Sequence, residues 1–267
     1  MLVTVVTPSL NGMRWLPRCI DSVRQQAGPN VDVEHILVDG GSTDGTPEYA
    51  ASRGCIVLDR EEPSISFAMN KGCRNSRGML VGILCCDDIL LPGALESIVL
   101  QHERDGRRWL VGGCCWMDES GRSLGAFRAP PRWMTARMLA SLGWSPFPQV
   151  YMLRELFLEL DGYRPDFHYA SDYELYIRTL QREPFSRIRR PLVAAERHRD
   201  NMSMNKDAQH RAELISVAEM AAPPSAWQRS AYRYFLKIWF NAMNPTWSVH
   251  KQVGAFDGLR RSVAAGS

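Results

Sequence analysis

The 267-residue chain lacks the marks of several protein classes, and each absence narrows the field. It has no basic stretch followed by an apolar signal core; residues 2–7 are too short for one and read as a strand. No uninterrupted apolar run reaches the ~18 residues needed to cross a bilayer. The expectation is a chain that is neither secreted nor membrane-spanning. An excess of charge of one sign is missing too: 32 basic minus 29 acidic side chains leave +3, too little to imply a nucleic-acid partner. Paired cysteine spacing is absent. The seven cysteines are an odd number without a C-x-x-C motif. Cys85-Cys86 and Cys114-Cys115 lie in strand-like runs, where buried free thiols act as small hydrophobes, which fits a reducing cytoplasm. No repeat or low-complexity tract interrupts the chain.

What is present is an alternation of strand and helix signals over the first 110 residues. Residues 2–7 read as a strand and 8–12 as a loop, after which Leu16, Cys19, Ile20 and Val23 fall on one helical face. Residues 33–38 form the next strand signal, and Thr46-Pro47 reads as an N-cap followed by proline at the first helical position. Residues 55–58 are a short third strand, 66–77 a helix and 79–86 a fourth strand. Pro92 opens a helix that Gly106 ends. Such alternation implies parallel strands joined by helical crossovers, with the ligand crevice beyond the carboxyl ends of the strands. Asp39, Asp59, Asp87 and Asp88 all fall at those ends.

Further on, residues 109–116 read as a strand and 118–121 as a turn. The Trp- and Pro-containing segment 130–148 could line an acceptor groove. Residues 149–153 precede a helix ending near Gly162. Residues 171–181 form another helix, with Ser171 and Glu174 as a capping box. Residues beyond about 205 are helical in character.

The most informative local feature is Asp87-Asp88, two adjacent carboxylates delivered to the edge of a core by an apolar strand. Like charges in such a place call for a cation, and hard oxygen ligands favour Mg²⁺ or Mn²⁺ holding a phosphate. Around this pair, four other blocks stand in order: Val6-Thr7-Pro8-Ser9-Leu10-Asn11, Val38-Asp39-Gly40-Gly41-Ser42-Thr43-Asp44-Gly45-Thr46, Ala68-Met69-Asn70-Lys71-Gly72, and Gly162-Tyr163 followed by Ala170-Ser171-Asp172-Tyr173-Glu174-Leu175. Together with Cys85-Cys86-Asp87-Asp88 they resemble the family 2 glycosyltransferases over roughly residues 1–200.

That resemblance implies an α/β architecture of GT-A type, a mostly parallel central sheet flanked by helices with a helical C-terminal extension. It implies a nucleotide-sugar donor, a UDP-sugar by preference, a divalent cation (Mn²⁺ or Mg²⁺) and inversion at the anomeric carbon. The division expected is a glycosyltransferase domain over 1–204, with a donor half (1–110) and an acceptor-side half (111–204), then the extension 205–267. Metal ligands are expected at Asp87, Asp88 and His198. Donor contacts are expected from Thr7, Pro8, Ser9, Asn11, Asp39, Asn70, Lys71 and Asp87, and Asp172 is the expected general base. One departure stands out: Cys85 occupies the place where relatives carry an acidic or amide residue, and a thiol is a poor ligand for Mg²⁺. Arg197 and Arg199, flanking His198, are candidates for phosphate pairing.

The implied acceptor is a glycan or lipid-linked hydroxyl in cell-surface polysaccharide or glycoconjugate assembly. The implied location is cytoplasmic, with peripheral contact at the inner face of the membrane and homo-oligomerisation left open. Residues 232–240, aromatic, apolar and basic, read as a helix packing onto the core or a partner, in preference to a membrane-surface helix. Two rival readings remain. A nucleotidyltransferase would need a glycine-rich basic phosphate loop after the first strand, and residues 8–12 have none. A degenerate nucleotide-binding scaffold is the other, favoured by Cys85 and Phe67.

Overall fold

The computed structural model of the protein describes residues 1–62, 64–118, 121–143, 145, 147, 149–198, 208–221 and 225–243. The chain begins with β1 (Leu2–Ser9), α1 (Leu16–Arg24), β2 (Asp32–Asp39), α2 (Thr46–Ser52), β3 (Ile56–Asp59), α3 (Ile65–Asn75) and β4 (Leu80–Ile83). It continues with β5 (Ile89–Leu90), α4 (Ala94–Asp105), β6 (Trp109–Asp118), β7 (Ser123–Phe127), α5 (Ala136–Leu142), β8 (Gln149–Leu153) and α6 (Arg154–Glu159). The last elements are α7 (Ser171–Arg182), β9 (Ser186–Arg197), α8 (Ala208–Glu219) and α9 (Ala226–Met243).

One sheet runs in the order β3-β2-β1-β4-β8-β6-β9-β5, with β7 paired to β6 outside that path. Through its N-terminal half it is parallel: β1 pairs with β2 and β4, and β2 with β3. Their interior residues are apolar on both faces (Val3, Val5, Val6, Ile36, Leu37, Val38), as expected of a sheet covered by helices on each side. Beyond β4 the pairing alternates. β8 lies antiparallel between β4 and β6, β9 runs parallel to β6, and β5 closes the edge antiparallel to β9. This makes the whole a mixed α/β sheet flanked by helices.

The α1 stripe behaves as its spacing requires, with Leu16, Cys19, Ile20 and Val23 all buried. Close helix–strand approach elsewhere depends on missing side chains. A Cβ on Gly72 of α3 would sit 2.2 Å from Val6 Cγ1, so glycine lets α3 lie directly on β1. In the second half the core is aromatic: Trp109 packs against Phe147, Tyr176 and Phe185 with ring centroids 5.3–6.3 Å apart. A buried polar tie fixes the other end of β2. Glu34 accepts bonds from Thr4 Oγ1 (2.7 Å), Arg77 N (2.8 Å) and Arg77 Nε (2.6 Å). Burial pushes its pKa up, but these bonds and the Arg77 charge outweigh it and hold the carboxyl below its usual range.

Several local expectations are corrected. Thr46 is the first residue of α2 and Gly45, at φ 86°, is its N-cap. Ser171 lies inside α7 and makes no cap bond. Pro92 precedes the left-handed Gly93, and α4 starts at Ala94. The cysteines are all free, but Cys85 is exposed and Cys86 half-buried, because the fourth strand stops at Ile83 rather than running to Cys86. Of the 118–121 turn, Gly121 N does bond Asp118 O at 2.9 Å, while residues 119 and 120 lie outside the described residues.

Candidate active site

At the end of β4 the chain is anchored twice, by Gln149 Nε2 to Ile83 O (2.9 Å) and by Leu84 N to Val6 O (2.9 Å). It then leaves the sheet in a tight turn closed by Asp88 N to Cys85 O at 3.0 Å. Pairing of Ile89 with Ala194 and Leu90 with Val193 lays this turn against the end of β9. There His198 Nε2 meets Asp87 Oδ2 at 3.0 Å, and the main-chain amide of Glu196 donates to the Asp88 carboxylate. Cys85 Sγ and one oxygen each of Asp87 and Asp88 lie within 4.8 Å of one another. Burial, and next the Asp87 charge, push the Asp88 carboxyl well above the usual carboxylate range. A divalent cation would reverse that effect, since it supplies the opposite charge both carboxylates lack. Two carboxylates with a histidine nitrogen beside them suit Mg²⁺ or Mn²⁺; the Cys85 thiol beside them is the soft member of the set.

His198 is held by residues that motif reading does not single out. Trp15 stacks on its ring with centroids 4.7 Å apart and 20° between planes. The same indole donates from Nε1 to Glu196 Oε1 at 3.2 Å, and Arg18 Nη2 reaches Glu196 Oε2 at 2.5 Å. Glu196 is only 3% exposed, so its charge is matched by Arg18 at the site's edge. The sequence carries one signal for this: a large aromatic, Trp15, directly ahead of a helix whose buried stripe begins one residue later. Arg197 lies over the Trp116 ring at 4.9 Å. Arg199 lies outside the described residues.

The loops after β1 and β2 are sewn together at the same rim. Asp39 Oδ2 accepts from the amides of Gly41 and Ser42 (2.8 Å each), and its Oδ1 accepts from Ser42 Oγ at 2.6 Å. Asn11, left-handed at φ 50°, donates its amide to Ser42 Oγ (2.8 Å) and accepts from Thr43 N (2.9 Å). Asp44 caps its own turn through Thr46 Oγ1 at 2.6 Å and also accepts from Met13 N at 3.0 Å. Asp39 and Asn11 therefore shape this rim, with Asp39 almost fully buried.

Five of the residues expected to contact the donor already have protein neighbours or burial that define their surroundings. The Thr7 hydroxyl faces the core, bonded to His35 Nε2 at 2.9 Å, and burial lowers the His35 pKa to about 4, so the pair is a neutral packing unit. Pro8 and Ser9 sit buried in β1, in register with Val38 and Asp39, and the Ser9 hydroxyl lies beside Gly12 and Cys86 at the start of the acidic turn. The Asn70 amide is taken up by Tyr163, donating to its carbonyl at 2.7 Å and accepting from its N–H at 2.8 Å. It clamps the Gly162-Tyr163 turn, which Arg178 grips from the other side through the Leu160 and Gly162 carbonyls. Lys71 Nζ pairs with the exposed Glu61 at 2.7 Å, a surface contact weak enough to exchange for a phosphate.

Asp172 occupies the first turn of α7 and is half-buried, with Oδ1 accepting from Tyr173 N at 2.7 Å. The helix dipole alone would keep it readily ionised; instead burial raises its pKa above the usual value, opposed by the two main-chain amides and the His210 charge. Burial pushes the hydroxyls of Tyr163 and Tyr176 well up, and the charges of both Asp172 and Cys85 add to the effect. In place of a Ser171–Glu174 capping box, Glu213 of α8 accepts from Tyr169 N (2.7 Å) and Ala170 N (3.1 Å). Glu174 is fully buried and paired with Arg178.

Known proteins align with this arrangement. The sequence model described as Glycosyl transferase family 2 matches residues 4–147. A chondroitin synthase of Escherichia coli is 25% identical over 215 residues, 77% of this chain but 30% of its own length. A protein of Mycobacterium tuberculosis without assigned function is 29% identical over 201 residues, 68% of this chain and 62% of its own. The chain thus spans less than two thirds of these relatives. In fold it superimposes on S. aureus TarS in complex with UDP-GlcNAc (TM-score 0.65, 16% identity, 87% of this chain and 70% of that one). It also superimposes on the glucosyl-3-phosphoglycerate synthase of Mycobacterium tuberculosis in complex with Mn²⁺ and UDP (TM-score 0.60, 23% identity, 84% and 81%).

Proposed function

The chain belongs to glycosyl transferase family 2, and from that premise we propose that it is an inverting, metal-dependent enzyme moving a sugar from a UDP-sugar to a glycan or lipid-linked hydroxyl. The observation that carries this reading is the convergence of Cys85, Asp87, Asp88 and His198 at the carboxyl ends of the strands, beside the rim shaped by Asp39 and Asn11. The named relatives fit the donor class: TarS was solved with UDP-GlcNAc, and the synthase with UDP and Mn²⁺ or Mg²⁺. The setting in cell-surface polysaccharide assembly follows the chondroitin synthase likeness, and the location proposed is cytoplasmic. No helix among the described residues is long and apolar enough to cross a membrane.

In this mechanism Asp87, Asp88 and His198 would hold the divalent cation, which when bound supplies Lewis-acid stabilisation of the departing diphosphate. Residues 1–110 receive the donor, with Asp39 and Asn11 fixing the nucleotide rim and Lys71 turning from Glu61 to the phosphates. Asp172 takes the proton from the acceptor hydroxyl as that oxygen attacks the anomeric carbon from the side opposite the leaving diphosphate. A single displacement of this kind inverts the centre. Burial suits Asp172 to the task, because a raised pKa makes its carboxylate a better proton acceptor. Residues 111–204 form the acceptor side, and Asn70, Arg178 and Glu213 hold Asp172's surroundings still.

The test is UDP release and product formation across a panel of UDP-sugars and glycan acceptors with Mn²⁺. Asp172→Asn is expected to keep donor binding and lose transfer by a factor of about 10²–10⁴. Near-normal turnover in that variant would reject the base assignment, and binding without turnover for every pair would favour the scaffold reading.

A further inference from the structure

Helix α9 is apolar on two opposite sides. One side, with Leu236 and Phe240, is buried against the core, and Phe240 stacks on Phe127 with centroids 5.4 Å apart. The other side carries Trp227 (71% exposed), Tyr234 (70% exposed), Phe235 and Ile238, all open to solvent. Their spacing, at positions 0, 7, 8 and 11 from Trp227, puts them on one face. Large apolar side chains exposed together on one helix face mark a contact surface.

The surface continues off the helix. Trp133, itself exposed, lies 5.4 Å from Phe235 and 6.2 Å from Trp239. Arg187 lies over the Trp239 ring at 5.4 Å. Around Arg187 cluster Arg189, Arg128 and Arg132, whose charges, after burial, are what lower its pKa. Asp105, which meets Arg132 at 3.4 Å and is also bonded to Gln101 and Ser186, is the acidic group that faces this cluster. α9 has no acidic residue and adds Lys237 at the border.

We infer that this aromatic face and its arginine cluster form a docking surface for the anionic face of a phospholipid bilayer. Exposed Trp, Tyr and Phe settle at the headgroup level of a membrane, and clustered arginines pair with lipid phosphates. A second copy of this chain is the weaker occupant, because an isologous contact would bring the same arginines against each other. The surface is independent of the transfer chemistry, so its failure would leave the reading of the active site intact.

The experiment is vesicle flotation of the full chain with phosphatidylcholine alone and with about one third phosphatidylglycerol. Binding is expected only to the anionic vesicles and should fall with added salt. Arg132→Gln with Arg189→Gln should weaken it on the order of 30-fold. Tyr234→Ser with Ile238→Ser, at exposed positions that leave the core unchanged, should abolish it while the thermal midpoint stays put. Absent binding, or equal binding to neutral vesicles, would overturn the inference. So would self-association lost in the Tyr234/Ile238 double variant without any vesicle binding.

Discussion

Replacing Asp88 by asparagine should make the metal-free chain more stable. The Asp88 carboxyl is pushed well above its usual range, first by burial and then by the adjacent Asp87 charge. Above the unfolded pKa the folded chain therefore either ionises a group that resists ionisation or holds a proton the unfolded chain has released, at a cost of up to about 1.36 kcal/mol for each unit of displacement. Asparagine keeps the shape and an oxygen for the Glu196 amide but removes the charge. A gain of ~1–3 kcal/mol is expected, the ordinary span of single-site effects. For a chain of this length that raises the unfolding midpoint by about 2–4 °C per kcal/mol.

The sign must follow pH. A carboxyl whose folded pKa is raised stabilises the fold below its unfolded pKa and loses that contribution as pH climbs through the folded value. The difference between Asp88→Asn and the parent should thus be near zero close to pH 4 and grow above it, read by thermal melts in chelator. With Mn²⁺ and UDP the order should invert. The parent gains about 2.7 kcal/mol at a hundredfold excess over its dissociation constant, and the variant loses most of that gain. A variant that melts below the parent in chelator at pH 8, or a difference flat with pH, would refute the argument.

Three further outcomes are expected. Asp172, raised by burial, should place the acid limb of kcat above the ordinary aspartate range near 3.9, with transfer lost as pH falls through it; a limb at or below that value would speak against Asp172 as the base. Glu34→Gln should destabilise by ~1–3 kcal/mol above pH 5 and converge with the parent in acid, because a depressed carboxyl stabilises above its unfolded pKa and loses that effect as pH falls; urea titration at both ends measures it. Gly72→Ala, whose Cβ would meet Val6 Cγ1 at 2.2 Å, should cost about 1–3 kcal/mol in the same assay, and a neutral result would mean that α3 lifts freely from β1.

What could be read from the residues alone was whatever periodicity and local order encode. The α1 stripe, the parallel N-terminal strands and the acidic strand ends all follow from spacing, because a helix face or a strand end is defined within a dozen residues. The errors arise where a distant group supplies what a local pattern promised. Ser171 and Glu174 have capping-box spacing, yet Glu213, some forty residues on, takes the amides ahead of α7. The Asn70 amide is bonded to the main chain of Tyr163, a partner that nothing in the residues around position 70 announces. Thr7 carries a hydroxyl at the right place in the motif, and only the position of His35 across the β1–β2 pair reveals which way it faces.

The family match ends at residue 147, while His198, Glu196, Asp172 and Glu213 all come from beyond it. The acidic turn at Asp87-Asp88 is completed only because β5 pairs with β9, bringing a histidine from 111 positions downstream to 3.0 Å. Trp15 and Arg18, from the start of the matched region, then fasten that histidine's strand back to α1. The matched residues therefore do not by themselves bring His198 to the acidic turn. The turn's histidine neighbour comes from a segment outside the matched residues. Trp15→Ala, which removes the ring stacked on His198 and leaves every family motif intact, should weaken Mn²⁺-dependent UDP binding while the rim at Asp39 remains formed. Equal Mn²⁺ dependence in that variant and the parent would show the acidic turn to be self-sufficient.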